Sequence, residues 1–308
     1  MGKKEIVFQE RMNRHHDELK WLYTELYGNS DMFAELCSQM YEYYKARKQK
    51  LHNRDAKRAE DPDWFRKKDM LGMMLYIDNF AGNLKGVREK LDYLKSCNVN
   101  CIHLMPFLDS PEGRSDGGYA VADFRKVKPE LGTMEDLAEL TDACHAKNMN
   151  VCMDFVMNHT SEDHEWAKRA RNGEGEYMSR YFFYDSYDIP AEYEKTVPQV
   201  FPTTAPGNFT YLPEIKHHVM TTFYPYQWDL NYKNPRVFNE MMYNFLFLLL
   251  LLLPFLHLCC HYMLLYNLYL LLMLCLHLLL LLLVFLLFHH MYMLLFQLLL
   301  LMNLHLFQ

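Results

Sequence analysis

Residues 154–160 read Asp-Phe-Val-Met-Asn-His-Thr. An apolar run that closes on Asn158-His159, with Asp154 inside it, is how a buried strand delivers an imidazole to the rim of a sheet. A neutral or protonated imidazole there can donate a hydrogen bond to a bound group or offset charge that develops on it. A second group is Asp116-Gly117-Gly118-Tyr119. The two glycines let the backbone turn tightly. The Asp116 carboxylate can then accept two hydrogen bonds, and the Tyr119 ring offers a flat face for stacking. Each residue has a plainer explanation when taken alone. A lone His is more often a satisfied core residue, and Asp-Gly is a common turn. Asp154 is expected to organise the strand end by hydrogen bonds rather than to react.

These side chains need elements to position them. Residues 1–65 read as a helical layer, with Phe33, Leu36, Met40, Tyr43 and Tyr44 at helical spacing. Lys45 to Arg58 reads as a basic helix continuing along the surface. From Met70 the pattern becomes strand–helix alternation. Strands are expected over Met70–Ile77, Val99–Met105 and Val151–Met157. One helix runs through Val87, Leu91 and Leu94 to about Asn98. Another opens on a capping box at Thr133-Met-Glu-Asp136, with Leu137, Leu140 and Cys144 inward, and ends near Asn148. Asn234-Pro235 supplies the N-cap and first residue of a helix through Val237, Met241 and Phe245. Buried strands alternating with helices imply a parallel sheet, either an eight-stranded barrel or a doubly wound sheet. Two long inserts, Asp109–Leu131 and Ser161–Trp228, follow strand C-termini, where barrel enzymes carry their active-site loops.

The formal net charge of −6 gives no basic face, so nucleic acid is not an expected partner. The N-terminal stretch lacks the apolar run of a signal peptide. Cys37, Cys97, Cys101, Cys144, Cys152, Cys259, Cys260 and Cys275 read as reduced core thiols of a cytoplasmic protein. Asn158-His-Thr and Asn208-Phe-Thr match the glycosylation acceptor pattern, and both are read as chance matches.

The ordered motifs resemble the α-amylase superfamily of glycoside hydrolases, and within it the amylosucrases. They are Asp61-Pro-Asp-Trp-Phe65, Tyr76-Ile-Asp-Asn-Phe-Ala-Gly82, His103-Leu-Met-Pro106, Ser115-Asp-Gly-Gly-Tyr-Ala-Val121 and Asp154 to Thr160. Ala205-Pro-Gly-Asn-Phe209 and Thr221-Thr-Phe223 through Gln227-Trp-Asp-Leu-Asn231 complete the set. The resemblance covers roughly residues 30–248 and implies the N-terminal part of a TIM-type (β/α)8 barrel. That part is the first three βα units over 66–248, with an insert domain at 161–228, after a helical domain at 1–65. It further implies a retaining glucosyl transfer from sucrose to an α-glucan or to water, which needs two carboxyls about 5–5.5 Å apart. By the same resemblance His159 stabilises the transition state, and Asp116 forms the floor of a glucosyl pocket with a later Arg. Tyr226, at a position usually Phe, flanks that pocket. Asn158 matches a calcium-binding position of many amylases. Amylosucrases do not require that ion, so Asn158 is read as structural, with no metal and no cofactor expected. Asn79, where Arg is common, and His217-His218 depart from the pattern in ways that bear on acceptor contacts.

Residues 245–308 use ten residue types, about half of them Leu, with no charged residue. The family pattern would continue after Phe247-Leu248 into Arg-x-Asp with the nucleophile, and later the acid–base Glu. Neither is present. The segment is long enough for membrane spans. It lacks the small residues and basic flanks that real spans carry, so a membrane partner is not expected. His257, Cys259, Cys260 and His261 resemble metal ligands only in composition. The expectation is a Leu-rich tail over 249–308 that is not native coding, and a chain that aggregates or does not fold and has no transferase activity. Two other readings stay open: a non-catalytic sugar-binding remnant using Asp116, Tyr119 and His159, and a membrane-tethered protein anchored by the tail.

Overall fold

The computed structural model of the chain describes residues 3–28, 30–61, 63–64 and 67–251. The Leu-rich segment from residue 252 onward, with His257, Cys259, Cys260 and His261, lies outside the described residues. No helix among the described residues is long and apolar enough to cross a membrane.

Three helices come first: α1 (Lys3–Tyr27), α2 (Ser30–Ala46) and α3 (Gln49–Ala59). The expected unbroken helix over Lys45–Arg58 is instead two helices with a break at Arg47-Lys48. Lys48 adopts an extended conformation (φ −60°, ψ 141°) as the N-cap of α3. The break turns Arg47 inward, where its Nε donates to Asp55 Oδ2 at 3.2 Å, and both side chains are buried. A buried acid on a basic helix was not visible as such in the sequence.

The barrel-like part begins with β1 (Gly72–Leu75), followed by α4 (Ile77–Ala81), α5 (Leu84–Glu89) and α6 (Leu91–Ser96). The single helix expected through Val87 and Leu94 is therefore divided at Lys90. Next come β2 (Cys101–Leu104), the short β3 (Leu108–Asp109), β4 (Asp123–Val127), α7 (Met134–Ala146) and β5 (Asn150–Met153). Strands β1, β2 and β5 form a parallel sheet in that order, with Leu75 beside Leu104 and Leu104 beside Met153. All three strands are shorter than their apolar runs, because residues beyond Leu75 turn into α4 and those beyond Leu104 and Met153 leave the ladder to enter loops. A closed barrel is not formed among the described residues.

The capping box is present as expected. Thr133 Oγ1 accepts from the Asp136 amide at 3.2 Å, and Asp136 Oδ2 accepts from the Thr133 amide at 3.0 Å. These bonds satisfy two amides that the first turn of α7 leaves without helical partners. Leu137, Leu140 and Cys144 then face the core with no exposed surface. Thr133→Ala is expected to lower stability by about 1 kcal/mol, read as a shift in urea midpoint. An unchanged midpoint would show that the cap is idle.

The second insert holds β6 (His159–Ser161), α8 (Glu165–Arg171), α9 (Gly175–Met178), β7 (Phe183–Tyr184), α10 (Asp188–Glu194), β8 (Phe209–Leu212), β9 (His217–Met220) and β10 (Gln227–Asp229). Strands β7, β9 and β8 make a small antiparallel sheet in that order. Its buried side packs on Trp228, whose ring meets Phe183 and Tyr181 edge-on. The neck of the insert is an antiparallel pair, β6 with β10, that sets Asp229 opposite His159 and Gln227 opposite Ser161. Asn208 is fully buried here, so it could not accept a glycan in the folded chain.

The last described helix, α11 (Pro235–Leu251), starts at Pro235, and Asn234 Oδ1 accepts from the Arg236 amide at 3.0 Å. Val237, Met241 and Leu248 are buried against the core. Asn239 ties this helix to the N-terminal layer. Its Oδ1 accepts from the Tyr23 hydroxyl at 2.9 Å, and its Nδ2 donates to the Met32 carbonyl at 2.9 Å. Of the described cysteines, Cys101 and Cys144 are buried and Cys37 and Cys152 half-buried. Cys97 is exposed, against expectation, because it falls just past the end of α6.

Candidate active site

The candidate residues converge at the C-terminal side of the parallel sheet. Asp154 stands one residue past β5, not inside a buried strand as expected. Its two carboxylate oxygens are used separately. Oδ1 lies 3.0 Å from His103 Nε2, at the end of β2, and Oδ2 accepts from the Tyr119 hydroxyl at 3.0 Å. Asp154 therefore connects two adjacent strand ends to the first insert. Burial, reinforced by the hydrogen bond and charge of Asp154, pushes the Tyr119 phenol up to about 12.

Asp116 opens a tight turn, Asp116–Gly118, in which three successive residues have positive φ (50°, 67° and 101°). Asp tolerates this left-handed region better than most residues. At Gly118 only glycine fits, since a Cβ there would lie 2.7 Å from the Pro106 carbonyl oxygen. The turn presses the loop against the end of β2 and directs the Asp116 carboxylate toward β10. There Gln227 Nε2 donates to Asp116 Oδ2 at 3.2 Å.

His159 does not project freely into a mouth. It begins the separate strand β6 and is 4 % exposed. Its Nε2 lies 3.2 Å from the Tyr119 carbonyl oxygen and 3.1 Å from Gln227 Nε2, and its ring tilts against Phe223 at 5.0 Å. Burial holds its pKa down to about 4, although the Tyr119 carbonyl and the Asp116 charge pull the other way. The imidazole is accordingly neutral at pH 7.

Tyr226 stacks in parallel on Tyr224, with ring centroids 5.2 Å apart. Burial, and then the charge of Asp116, raise the pKa of its phenol, while a bond from the Asp116 amide lowers it. Tyr226 is thereby in contact with Asp116. Asn158 is exposed, and its Nδ2 donates to Asp229 Oδ1 at 2.9 Å. Asp229 Oδ2 also accepts from the Thr222 amide and hydroxyl. Burial outweighs these bonds and raises Asp229 to about 6. Among the described residues no three His, Cys, Asp or Glu side chains are grouped to hold a metal ion.

All six residues singled out from the sequence are thus linked within one cluster. Four others were not singled out: His103, Phe223, Gln227 and Asp229. Side-chain alternation could have found His103, which lies one residue before the end of β2 as Asp154 lies one residue past β5. Gln227 and Asp229 alternate on β10 and share a face of the neck. Nothing in the sequence alone pairs β10 with β6.

The alpha amylase catalytic domain family matches residues 61–250. The trehalose synthase/amylase TreS of Mycolicibacterium smegmatis is 38% identical over 188 residues, covering 59% of this chain and 31% of that protein. The oligo-1,6-glucosidase of Heyndrickxia coagulans is 34% identical over 162 residues, covering 52% and 28%. Among solved structures, a MutB mutant in complex with its substrate sucrose superposes with a TM-score of 0.53 at 31% identity, over 61% of this chain and 34% of that one. An isomaltulose synthase mutant from Erwinia rhapontici, also with sucrose, gives 0.52 at 29% over 59% and 33%. The chain spans about a third of the length of these relatives. Matched over most of its described residues and carrying the family's strand-end motifs in one cluster, the chain belongs to the alpha-amylase family of catalytic domains.

Proposed function

We propose that Asp116, Tyr119, His159 and Tyr226 form the glucosyl-binding half of a retaining α-glucoside site of the amylosucrase type. Its donor would be sucrose and its acceptor an α-glucan, in the cytoplasm, without metal or cofactor. The observation that carries this reading is the Asp116–Gln227–His159 chain, which joins both inserts at the C-terminal ends of the strands. Asp116 offers carboxylate oxygens to adjacent hydroxyls, where charge-assisted bonds are the strong ones. Tyr119 and Tyr226 offer ring faces to the apolar side of a pyranose. His159, neutral and almost fully enclosed, meets one hydroxyl without bringing a second charge.

The sucrose complexes of the structural neighbours support sucrose. The trehalose synthase matches support a second reading, in which the same pocket holds a glucosyl unit of trehalose. A third reading is sugar binding without turnover. Residues 245–308 contain no Asp or Glu, so this segment supplies neither an Arg-x-Asp nucleophile nor an acid.

The test is a calorimetric titration of the full chain with glucose, sucrose and trehalose, beside an assay for released fructose. The expected outcome is saturable binding of glucose and sucrose with no fructose. Absence of saturable glucose binding at millimolar concentrations sinks the site assignment. Fructose release overturns the expected lack of turnover.

A further inference from the structure

A cavity of about 400 Å³ lies between α2, β4, α8 and α11, and none of its lining residues belongs to the strand-end cluster. His164, the N-cap of α8, stands on its wall at 7 % exposure. The backbone amide of Trp166 donates to His164 Nδ1 at 3.1 Å. An amide N–H can only donate, so Nδ1 carries a lone pair and the ring proton sits on Nε2. Burial keeps the ring neutral at pH 7, with a pKa of about 4, although the charge of Asp123 pulls the other way. Nε2–H has no hydrogen-bond partner among the described residues. A buried donor left unmet is expensive, and a fold that keeps one serves it with a bound molecule.

The rest of the wall decides what that molecule is. Three carboxylates line the cavity, and two are already answered. Glu240 accepts from Arg180 with both oxygens, at 2.6 and 3.1 Å. Asp123 accepts from the Arg125 amide at 2.8 Å and pairs with Lys126 at 3.0 Å. Glu35 uses only Oε1, which accepts from the Tyr243 hydroxyl at 3.2 Å. Asn244 uses only its carbonyl oxygen, which accepts from Arg125 Nε at 2.8 Å. Unmet among the described residues are thus one charged acceptor, Glu35 Oε2, and two neutral donors, His164 Nε2 and Asn244 Nδ2. An ammonium group has no acceptor for the two donors, and an anion would meet the charge of Glu35. A hydroxyl serves both sides, donating to a carboxylate and accepting from an N–H. Water shares that capacity, but the cavity falls within the roughly 300–1,000 Å³ of small-molecule sites and takes apolar lining from Phe124 and Trp166.

We infer that this cavity is a second ligand site, separate from the strand-end cluster, for a small neutral polyol whose adjacent hydroxyls accept from His164 and Asn244 and donate to Glu35. The inference does not rest on the glucosyl-transfer reading.

The test uses the full chain with 15N-labelled histidines and sorbitol as the probe. Sorbitol carries adjacent hydroxyls but no pyranose face to stack on Tyr119 or Tyr226. The His164 ring signals are assigned by their absence from His164→Asn. The expected result is a saturable shift of the His164 Nε2–H signal at millimolar sorbitol. His164→Asn should also weaken sorbitol binding about tenfold in calorimetry, the effect of losing one hydrogen bond. Asn still caps α8 through its side-chain oxygen, so the helix keeps its start. Should that variant not fold, Asn244→Asp, which keeps the acceptor for Arg125 and removes the donor, is read in its place by the same calorimetric criterion. An unmoved His164 signal means that water alone fills the cavity and overturns the inference. A shift with butylammonium and none with sorbitol overturns it in favour of a cation site. A chain that binds sorbitol at His164 but no glucose leaves this inference standing and removes the glucosyl-binding reading.

Discussion

Asp116→Asn is expected to weaken glucose binding between about 10- and 100-fold while leaving the unfolding midpoint nearly unchanged. A hydrogen bond to a charged group contributes about 1.5–3 kcal/mol, and the substitution removes the charge together with one acceptor oxygen. Asn is the informative replacement because of the backbone. Residue 116 has a φ of 50°, a conformation that Asn accepts and Ala does not. An Ala variant would mix lost contacts with backbone strain. The Gln227 amide can still donate to the Asn carbonyl, so the His159 side of the cluster should stay assembled. Calorimetry and urea unfolding on the same samples check both halves. Unaltered glucose affinity would remove Asp116 from the site, and a large loss of stability would assign it to the turn instead.

Acidification from pH 6.5 to 4 is expected to destabilise the folded chain by about 3 kcal/mol from three buried groups alone. His159 and His164 are both held at about 4 by burial, against an ordinary 6.5. In that window the unfolded chain takes up a proton at each that the folded chain refuses. Their stabilising effect is therefore complete above 6.5 and is lost as the pH falls, by roughly 3 kcal/mol for each. Asp229 acts with the opposite sign. Burial raises it from 3.8 to about 6, so the folded chain keeps a proton that the unfolded chain releases. Its contribution is complete below 3.8 and is lost as the pH rises through 6, again by roughly 3 kcal/mol. Two imidazoles outweigh one carboxyl. Urea unfolding at pH 7 and at pH 4.5 measures the balance, and equal or higher stability at the lower pH would show that the imidazoles are not enclosed as described.

The sequence was most informative where local chemistry decides local structure. Thr133 and Asp136 cap α7 because their spacing alone brings each side chain to the other's amide. Asn234-Pro235 starts α11 for a similarly local reason. Hydrophobic runs located β1, β2 and β5 but overstated their lengths, because an apolar residue such as Phe155 can leave the ladder and still pack, here between Phe124 and Phe245. The candidate site was legible as a set of residues and illegible as a geometry. Asp116 and His159 are 43 positions apart, and what connects them is Gln227, a further 68 positions on. Pairing at that range depends on loop closure and tertiary packing, which no short window of sequence contains. The same limit hid the inward turn of Arg47, which follows from a break between α2 and α3 rather than from composition.

The neck formed by β6 and β10 has a consequence for how such a chain can change over evolutionary time. Three residue pairs fix both ends of a segment of more than sixty residues, and Leu230 adds a bond back to the Asn158 carbonyl at 2.9 Å. Within the segment, Tyr181 braces the neck on both sides, meeting the Trp228 ring and bridging to Leu230. Doubling the length of a flexible connection raises its closure penalty by only about 0.6 kcal/mol. Loops within the segment that do not touch the neck can therefore be lengthened or shortened while His159 and Gln227 keep their places. Diversity of recognition can accumulate in those loops without displacing the hydrogen-bonded cluster at the segment's base.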